Sequence, residues 1–521
     1  MAEQSFHVGV PVAGVALALL AALGQPSAVA APPPTDPMGI TGPGTAAASR
    51  FVPGPCPEPP EPIDALATAR CGVLEVPENR ARPGGRTIRL AVAIIPPVSA
   101  TPAPDPVVFM SGGPGGETFD DIPFLVSSGL NRDRELIVMA QRGNLYDEPN
   151  LACPELDRFY ARSVGLPSYA PQTEKLMLDA VKQCRDRLTA GGTDLSAYNS
   201  TENAADFADL RTALGFKQWN VYGHSYGSNL ALTYLRLHPQ GIRSVALDSA
   251  APAQYVSLPF AWANAREGLD SLYKGCAAEP RCQSRYPHLE RTLNEQVRKL
   301  EAQPLTLNVR PPQGGDPVKV VLDGGALVNL LVAKAIPFAD VPAAIDELGR
   351  GNPDRFAKAR AAGSVQVVGQ TAHGLTQSVV CSEWVPDHSP SDVLKAGREA
   401  FPEWPEAVQA QAPQLAFQAP VCRIWNVPDR TAVQRVPTVS SVPTLFFNGT
   451  FDMKTGASWA PRTARTLSHS TTVEVPGIGH WVVPQSPCAQ KVLASFLTRP
   501  TAPDTDCVAG LRWEPFTITP K

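Results

Sequence analysis

Short, continuously apolar runs recur along this chain, and most of them end in a loop bearing glycine, proline or aspartate. The runs RTIRLAVAIIPP (86–97), DPVVFM (105–110), ELIVMA (135–140), WNVYGH (219–224), RSVALD (243–248), PTLFF (443–447) and TTVEV (471–475) have the length and apolar density of strands. RCGVLEVPEN (70–79) is a further β-like run, joined to 86–97 by the turn sequence RARPGG. Between the strands at 219–224 and 243–248, Ser228 to Leu237 has helical spacing and stops before Pro239. CAQKVLASFL (488–497) reads as a closing amphipathic helix. Strands that alternate with helices and lack polar alternation predict an α/β fold, a mostly parallel sheet flanked by helices.

This pattern is interrupted from about residue 254 to about 435, where Ala-, Glu- and Arg-rich segments such as LERTLNEQVRKLEA (289–302) predict a large helical cap insertion. Residues 63–253 and 436–521 are then the two parts of one core. Residues 31–62 are rich in Pro, Gly, Ala and Thr and have little to bury, which predicts a flexible leader. The apolar run from Val8 to Gly24, followed by Ala28-Val29-Ala30, predicts a signal peptide over residues 1–30. The stretch before it lacks Lys and Arg, so an uncleaved membrane anchor is the rival reading. The run is short for a bilayer span, and no later stretch resembles one.

With 521 residues, 43% of them hydrophobic, the chain can build a large core, and a formal net charge of −4 gives no basic field for nucleic acid. The ten cysteines form an even set without a Cys-x-x-Cys pair, which points to disulfides in an exported protein, secreted or periplasmic, rather than to zinc. Sequence leaves the connectivity open. Neighbour pairing closes the shortest loops: Cys56–Cys71, Cys153–Cys184, Cys276–Cys282, Cys381–Cys422 and Cys488–Cys507. No metal, nucleotide or flavin motif is present, so no cofactor is expected.

Gly223-His224-Ser225-Tyr226-Gly227 sits where a strand meets a helix. A nucleophilic serine there is held on a tight turn, with the helix N-terminus favouring negative charge beside it. The hydroxyl needs a base. Of eight histidines, His480 lies in a Gly-flanked loop just past the last strand and is the candidate. A carboxylate must then fix its tautomer. Asp452, after the penultimate strand, is the expected partner, and Asp248 in ALDSAAP is the rival. For the oxyanion, backbone N–H groups of Tyr226 and Gly113 are the candidate donors, the latter from the Gly112-Gly113-Pro114-Gly115 loop.

With SGGPGG, QRG, VYGHSYGSNLALTYLRLHP, ALDSAAP, NGTFDMKT and GIGHW in place, the chain resembles the secreted tripeptidyl-aminopeptidase group of the α/β-hydrolases, relatives of prolyl aminopeptidases. The resemblance runs from about Cys71 to Cys507. It implies an α/β-hydrolase fold and a serine peptidase that releases short peptides from free N-termini. One departure stands out: Ala140 replaces the Asp that usually precedes Gln-Arg-Gly in that family, and NLYDEP follows where relatives often read Thr-Gly-x-Ser. Arg142 is therefore expected to lack an acidic neighbour.

Cleavage beside a free N-terminus calls for a carboxylate facing the substrate ammonium. Glu383 in VVCSEW and Glu117 in GGPGGETF are the candidates, with Trp384, Trp262 and Trp404 as candidate pocket walls. Three functions remain open at this level: an aminopeptidase, a carboxylesterase acting on small esters with the same triad, and an inactive binding protein.

Overall fold

The computed structural model describes residues 49–82, 84–365 and 369–519. The expected signal peptide and residues 31–48 of the expected leader lie outside the described residues.

The strands are β1 (Arg50–Pro53), β2 (Arg70–Pro77), β3 (Thr87–Ile95), β4 (Val107–Met110), β5 (Leu136–Met139), β6 (Trp219–His224), β7 (Ile242–Asp248), β8 (Leu305–Val309), β9 (Val318–Leu322), β10 (Thr444–Gly449) and β11 (Ser470–Val475). The main sheet has nine strands in the order β1-β2-β3-β5-β4-β6-β7-β10-β11. β1, β2, β3 and β5 pair antiparallel in succession, and from β5 to β11 every pairing is parallel. Alternate residues of one strand supply two cores. Val107 and Phe109 pack on the face that holds Leu493 and Phe496 of the closing helix Pro487–Thr498. Val108 and Met110 pack on the opposite face with Phe207 and Leu230. Burial on both faces is the reason these strands carry no polar alternation.

Residues 49–62 of the expected flexible leader are ordered. β1 pairs with β2, Cys56 is disulfide-bonded to Cys71, and the Ser49 hydroxyl donates to Asp209 at 2.7 Å. The four-residue RFVP run gains its order from partners distant in sequence, so no local signal announces it.

Between β7 and β10 the chain forms helices from Leu258–Ala278 to Thr431–Gln434. The β8–β9 hairpin interrupts them, a two-stranded antiparallel unit within the segment expected to be helical. Its LTLNV strand alternates half-buried and exposed positions, a pattern of period two. A second addition precedes β6. The helices Pro154–Ser163 and Pro171–Ala190 pack with Leu375, Val421 and Trp425 of the segment between β7 and β10. Five disulfides are formed, each between cysteines adjacent in sequence: 56–71, 153–184, 276–282, 381–422 and 488–507. No described helix is long and apolar enough to cross a membrane.

Candidate active site

Ser225 ends β6 and precedes the helix Tyr226–Leu237 with φ 55° and ψ −123°. This positive-φ conformation is strained for a residue with a Cβ and marks the site. The flanking glycines are required by contact. A Cβ on Gly227 would lie 1.8 Å from the Met110 carbonyl oxygen, and one on Gly223 would lie 2.4 Å from the Gly227 carbonyl oxygen. The turn therefore packs backbone on backbone against β4.

His480 lies in the loop after β11. Its Nδ1 is 2.8 Å from Asp452 Oδ2, in the loop after β10. The Asp452 carboxylate also accepts from the Thr455 hydroxyl at 2.6 Å, from the Lys454 amide at 2.9 Å and from the Thr455 amide at 3.0 Å. Burial would raise its pKa. The His480 charge and these hydrogen bonds outweigh burial and hold the carboxyl well below the usual range. Thr455 escaped the sequence reading, although an Asp-x-x-Thr turn directly after a strand is its signal.

Asp248 is equally buried but is turned to another task. It accepts from the Val482 amide at 2.7 Å, the Val483 amide at 2.8 Å and the Tyr222 hydroxyl at 2.9 Å. Burial pushes its pKa up to about 6 against these bonds. Asp248 thus anchors the residues that follow His480. The Trp481 amide donates to the Ser249 hydroxyl at 2.9 Å and tightens the same loop.

Ser225 and His480 line one cavity of about 370 Å³, together with Gly113 and Tyr226. The imidazole of His224, the residue before Ser225, is 5.1 Å from that of His480, centroid to centroid, and stacks on Trp481 at 4.6 Å. Burial, then the nearby His480, holds His224 well below the usual histidine pKa, so it stays neutral. No hydrogen bond joins the Ser225 hydroxyl to His480; such bonds often tighten only when substrate enters. Neither the Gly113 nor the Tyr226 amide donates a hydrogen bond among the described residues, which leaves two N–H groups on the cavity wall. Gly113 has φ 113°, a conformation open to glycine.

The loop carrying Gly113 is braced by the chain after β5. Gln141 donates to the Ser111 carbonyl at 2.7 Å, and Asn144 donates to the Gly116 carbonyl at 2.8 Å. Arg142 is fully buried and does have acidic partners. Its guanidinium grips Asp206 through two bonds of 2.8 Å, and it donates to the Glu78 and Ala197 carbonyls at 2.6 and 2.8 Å. The acid comes from the helix Ser200–Ala213, remote in sequence, so the Ala140 departure does not leave Arg142 unpaired.

The expected ammonium-binding carboxylates do not line this cavity. Glu383 is 2% exposed and accepts from the Ser200 amide at 2.7 Å and the Ser200 hydroxyl at 2.6 Å. Burial pushes its pKa up to about 7. Glu117 accepts from the Phe119 amide at 3.0 Å and the Leu145 amide at 3.2 Å, and burial likewise pushes it up to about 7. Both brace backbone. Trp384 does line the cavity, joined by Trp459, which the sequence reading passed over. Trp262 and Trp404 instead pack with Phe401 inside the cap. A second cavity of about 300 Å³, walled by Phe159, Tyr169 and Arg360, shares only Gln414 with the first.

Parts of the chain are similar to known proteins. A tripeptidyl aminopeptidase of Streptomyces coelicolor is 27% identical over 202 residues, 36% of this chain and 35% of the relative. The serine protease Hip1 of Mycobacterium tuberculosis is 27% identical over 195 residues, 35% of this chain and 36% of the relative. The chain thus aligns with about a third of the length of these curated relatives. A solved proline iminopeptidase of Mycobacterium smegmatis is 17% identical, covering 82% of this chain and 98% of that one at a TM-score of 0.37. The family model for the alpha/beta hydrolase fold matches residues 105–487, well over half of the sequence, and on that match the chain belongs to the α/β-hydrolase family.

Proposed function

We propose that the protein is an exported serine hydrolase that cleaves short peptides near a free N-terminus through an acyl-enzyme on Ser225. The observation that carries the hydrolase reading is one cavity lined by a strained serine, an aspartate-held imidazole and two unsatisfied N–H groups. In the reaction, Ser225 Oγ attacks the substrate carbonyl and His480 takes its proton. Asp452 holds the imidazole so that the nitrogen facing Ser225 is the acceptor, and it stabilises the cation that forms. The carbonyl oxygen, now negative, turns to the Gly113 and Tyr226 amides. His480 then gives its proton to the departing amine, and water repeats the sequence to free the acid. The covering cap restricts entry to short or extended substrates. The peptide preference rests on the peptidase-named relatives, and export on the five disulfides and the signal-like N-terminus.

One observation favours ester substrates as a second reading. No Asp or Glu is among the described residues lining the cavity, so no carboxylate there pairs with a substrate ammonium. Purified protein assayed on free and N-acetylated peptide anilides, beside nitrophenyl esters, separates the two. Cleavage of free but not acetylated peptides supports the aminopeptidase, and ester turnover alone supports the esterase. Absence of both, with no fluorophosphonate adduct on Ser225, refutes the hydrolase.

A further inference from the structure

The wall of this cavity carries one lysine, Lys454, two residues beyond Asp452. Its backbone is pinned: the amide donates to Asp452 Oδ1 at 2.9 Å, and its carbonyl accepts from Asn264 at 2.8 Å. Its ammonium has neither a hydrogen-bond nor an ion-pair partner among the described residues. Lys454 is exposed, its side chain open to solvent at the wall of the cavity. The protein packed around it lowers its pKa despite that exposure, and Asp452 partly restores it.

The other charges around it do not neutralise it. The Asp452 carboxylate is committed to His480, Thr455 and two amides. Lys334, over the His480 loop, adds a second positive charge and donates to Gln485. A pocket whose described lining holds an unpaired cation and no acid is complementary to an anion.

Resting on the hydrolase reading above, we infer that Lys454 selects substrates bearing a carboxylate near the scissile bond. An acidic side chain, the free carboxyl end of a short peptide and the half-ester of a dicarboxylic acid share this chemistry. Lys454 is then a specificity residue, and its contribution shows as a ratio between charged and neutral substrates of one shape.

The test measures kcat/KM for the 4-nitrophenyl monoester of adipic acid against 4-nitrophenyl hexanoate, in the full chain and in Lys454→Met and Lys454→Glu. A ratio cancels any effect of the lysine on Asp452 and His480. Wild type is expected to prefer the acid by about 10- to 100-fold. The ratio falls to near one in Lys454→Met and below one in Lys454→Glu. A wild-type ratio near one, or a ratio unmoved by Lys454→Met, overturns the inference. Peptide pairs differing as Glu and Gln, or as free acid and terminal amide, separate side chain from chain end. If no substrate turns over and Ser225 takes no fluorophosphonate, the hydrolase reading fails by itself. Calorimetry with adipate still reads Lys454, since binding lost in Lys454→Met supports the site and absent or unchanged binding refutes it.

Discussion

Replacing Asp452 by Asn changes one atom and, on this geometry, reverses the tautomer of His480. The native carboxylate accepts four hydrogen bonds: two amides on Oδ1, and the Thr455 hydroxyl and His480 on Oδ2. An asparagine must put its NH₂ on one side. Facing the Lys454 and Thr455 amides, it would leave two buried N–H groups without an acceptor, at about 1–3 kcal/mol each. Facing His480 costs less, because the Thr455 hydroxyl can turn and accept. The amide then donates to Nδ1, the proton moves to Nε2, and the ring can no longer accept the serine proton. A wrong tautomer of this kind lowers kcat by about 10⁴, equivalent to about 5 kcal/mol of transition-state stabilisation. Nitrophenyl ester turnover and the rate of fluorophosphonate labelling read this directly, with circular dichroism to show that the fold is kept. Asp248→Asn is the control. It leaves one of two loop amides unpaired, so it should lower Tm by an amount set by about 1–3 kcal/mol while labelling of Ser225 persists. If Asp452→Asn keeps a tenth of wild-type activity while Asp248→Asn loses it all, the assignment of the two carboxylates is reversed.

Gly227→Ala places a Cβ 1.8 Å from the Met110 carbonyl, where only backbone movement can make room. It should cost at least about 3 kcal/mol and give insoluble or inactive protein, and a soluble variant with native Tm would refute the contact. Glu383 binds its proton more tightly folded than unfolded, with a folded pKa of about 7 against an ordinary 4.5. The group therefore opposes folding progressively as pH rises from about 4.5 through 7, a loss that glutamine does not share. The Tm of Glu383→Gln relative to wild type should improve between pH 5 and pH 8, and a constant or worsening difference would contradict the burial argument. The Cys381–Cys422 bond closes a separation of 41 residues within the cap. On the chain-entropy model its removal by paired serine substitutions costs about 4 kcal/mol, read as a lower Tm, and an unchanged Tm would show that the cap does not depend on it.

The central sheet was legible because β4, β6, β7 and β10 are buried on both faces, which writes unbroken apolar runs into the sequence. The β8–β9 hairpin was not, because its weak alternation lies in a region dominated by helical spacing. β1 was hidden because its order comes from pairing to β2 and from a disulfide, both remote from the RFVP residues themselves. At the site, strand-end positions placed Ser225, Asp452 and His480 on loops that the topology brings to one end of the sheet. Burial partners were out of reach. Glu383 reads as a free acid in VVCSEW, yet Ser200, at the start of a helix far upstream, takes both of its oxygens. Arg142 likewise finds Asp206 through space and not through the missing neighbour at position 140.

In this mechanism Ser225 attacks and His480, held by Asp452, takes its proton. Fluorophosphonate labelling of wild type, Ser225→Ala and His480→Ala, with the adduct mapped by mass spectrometry, tests it most directly. One adduct is expected, on the peptide containing Ser225, absent from Ser225→Ala and slowed at least about 10³-fold in His480→Ala. An adduct on another serine, or labelling that proceeds at the wild-type rate without His480, would contradict it.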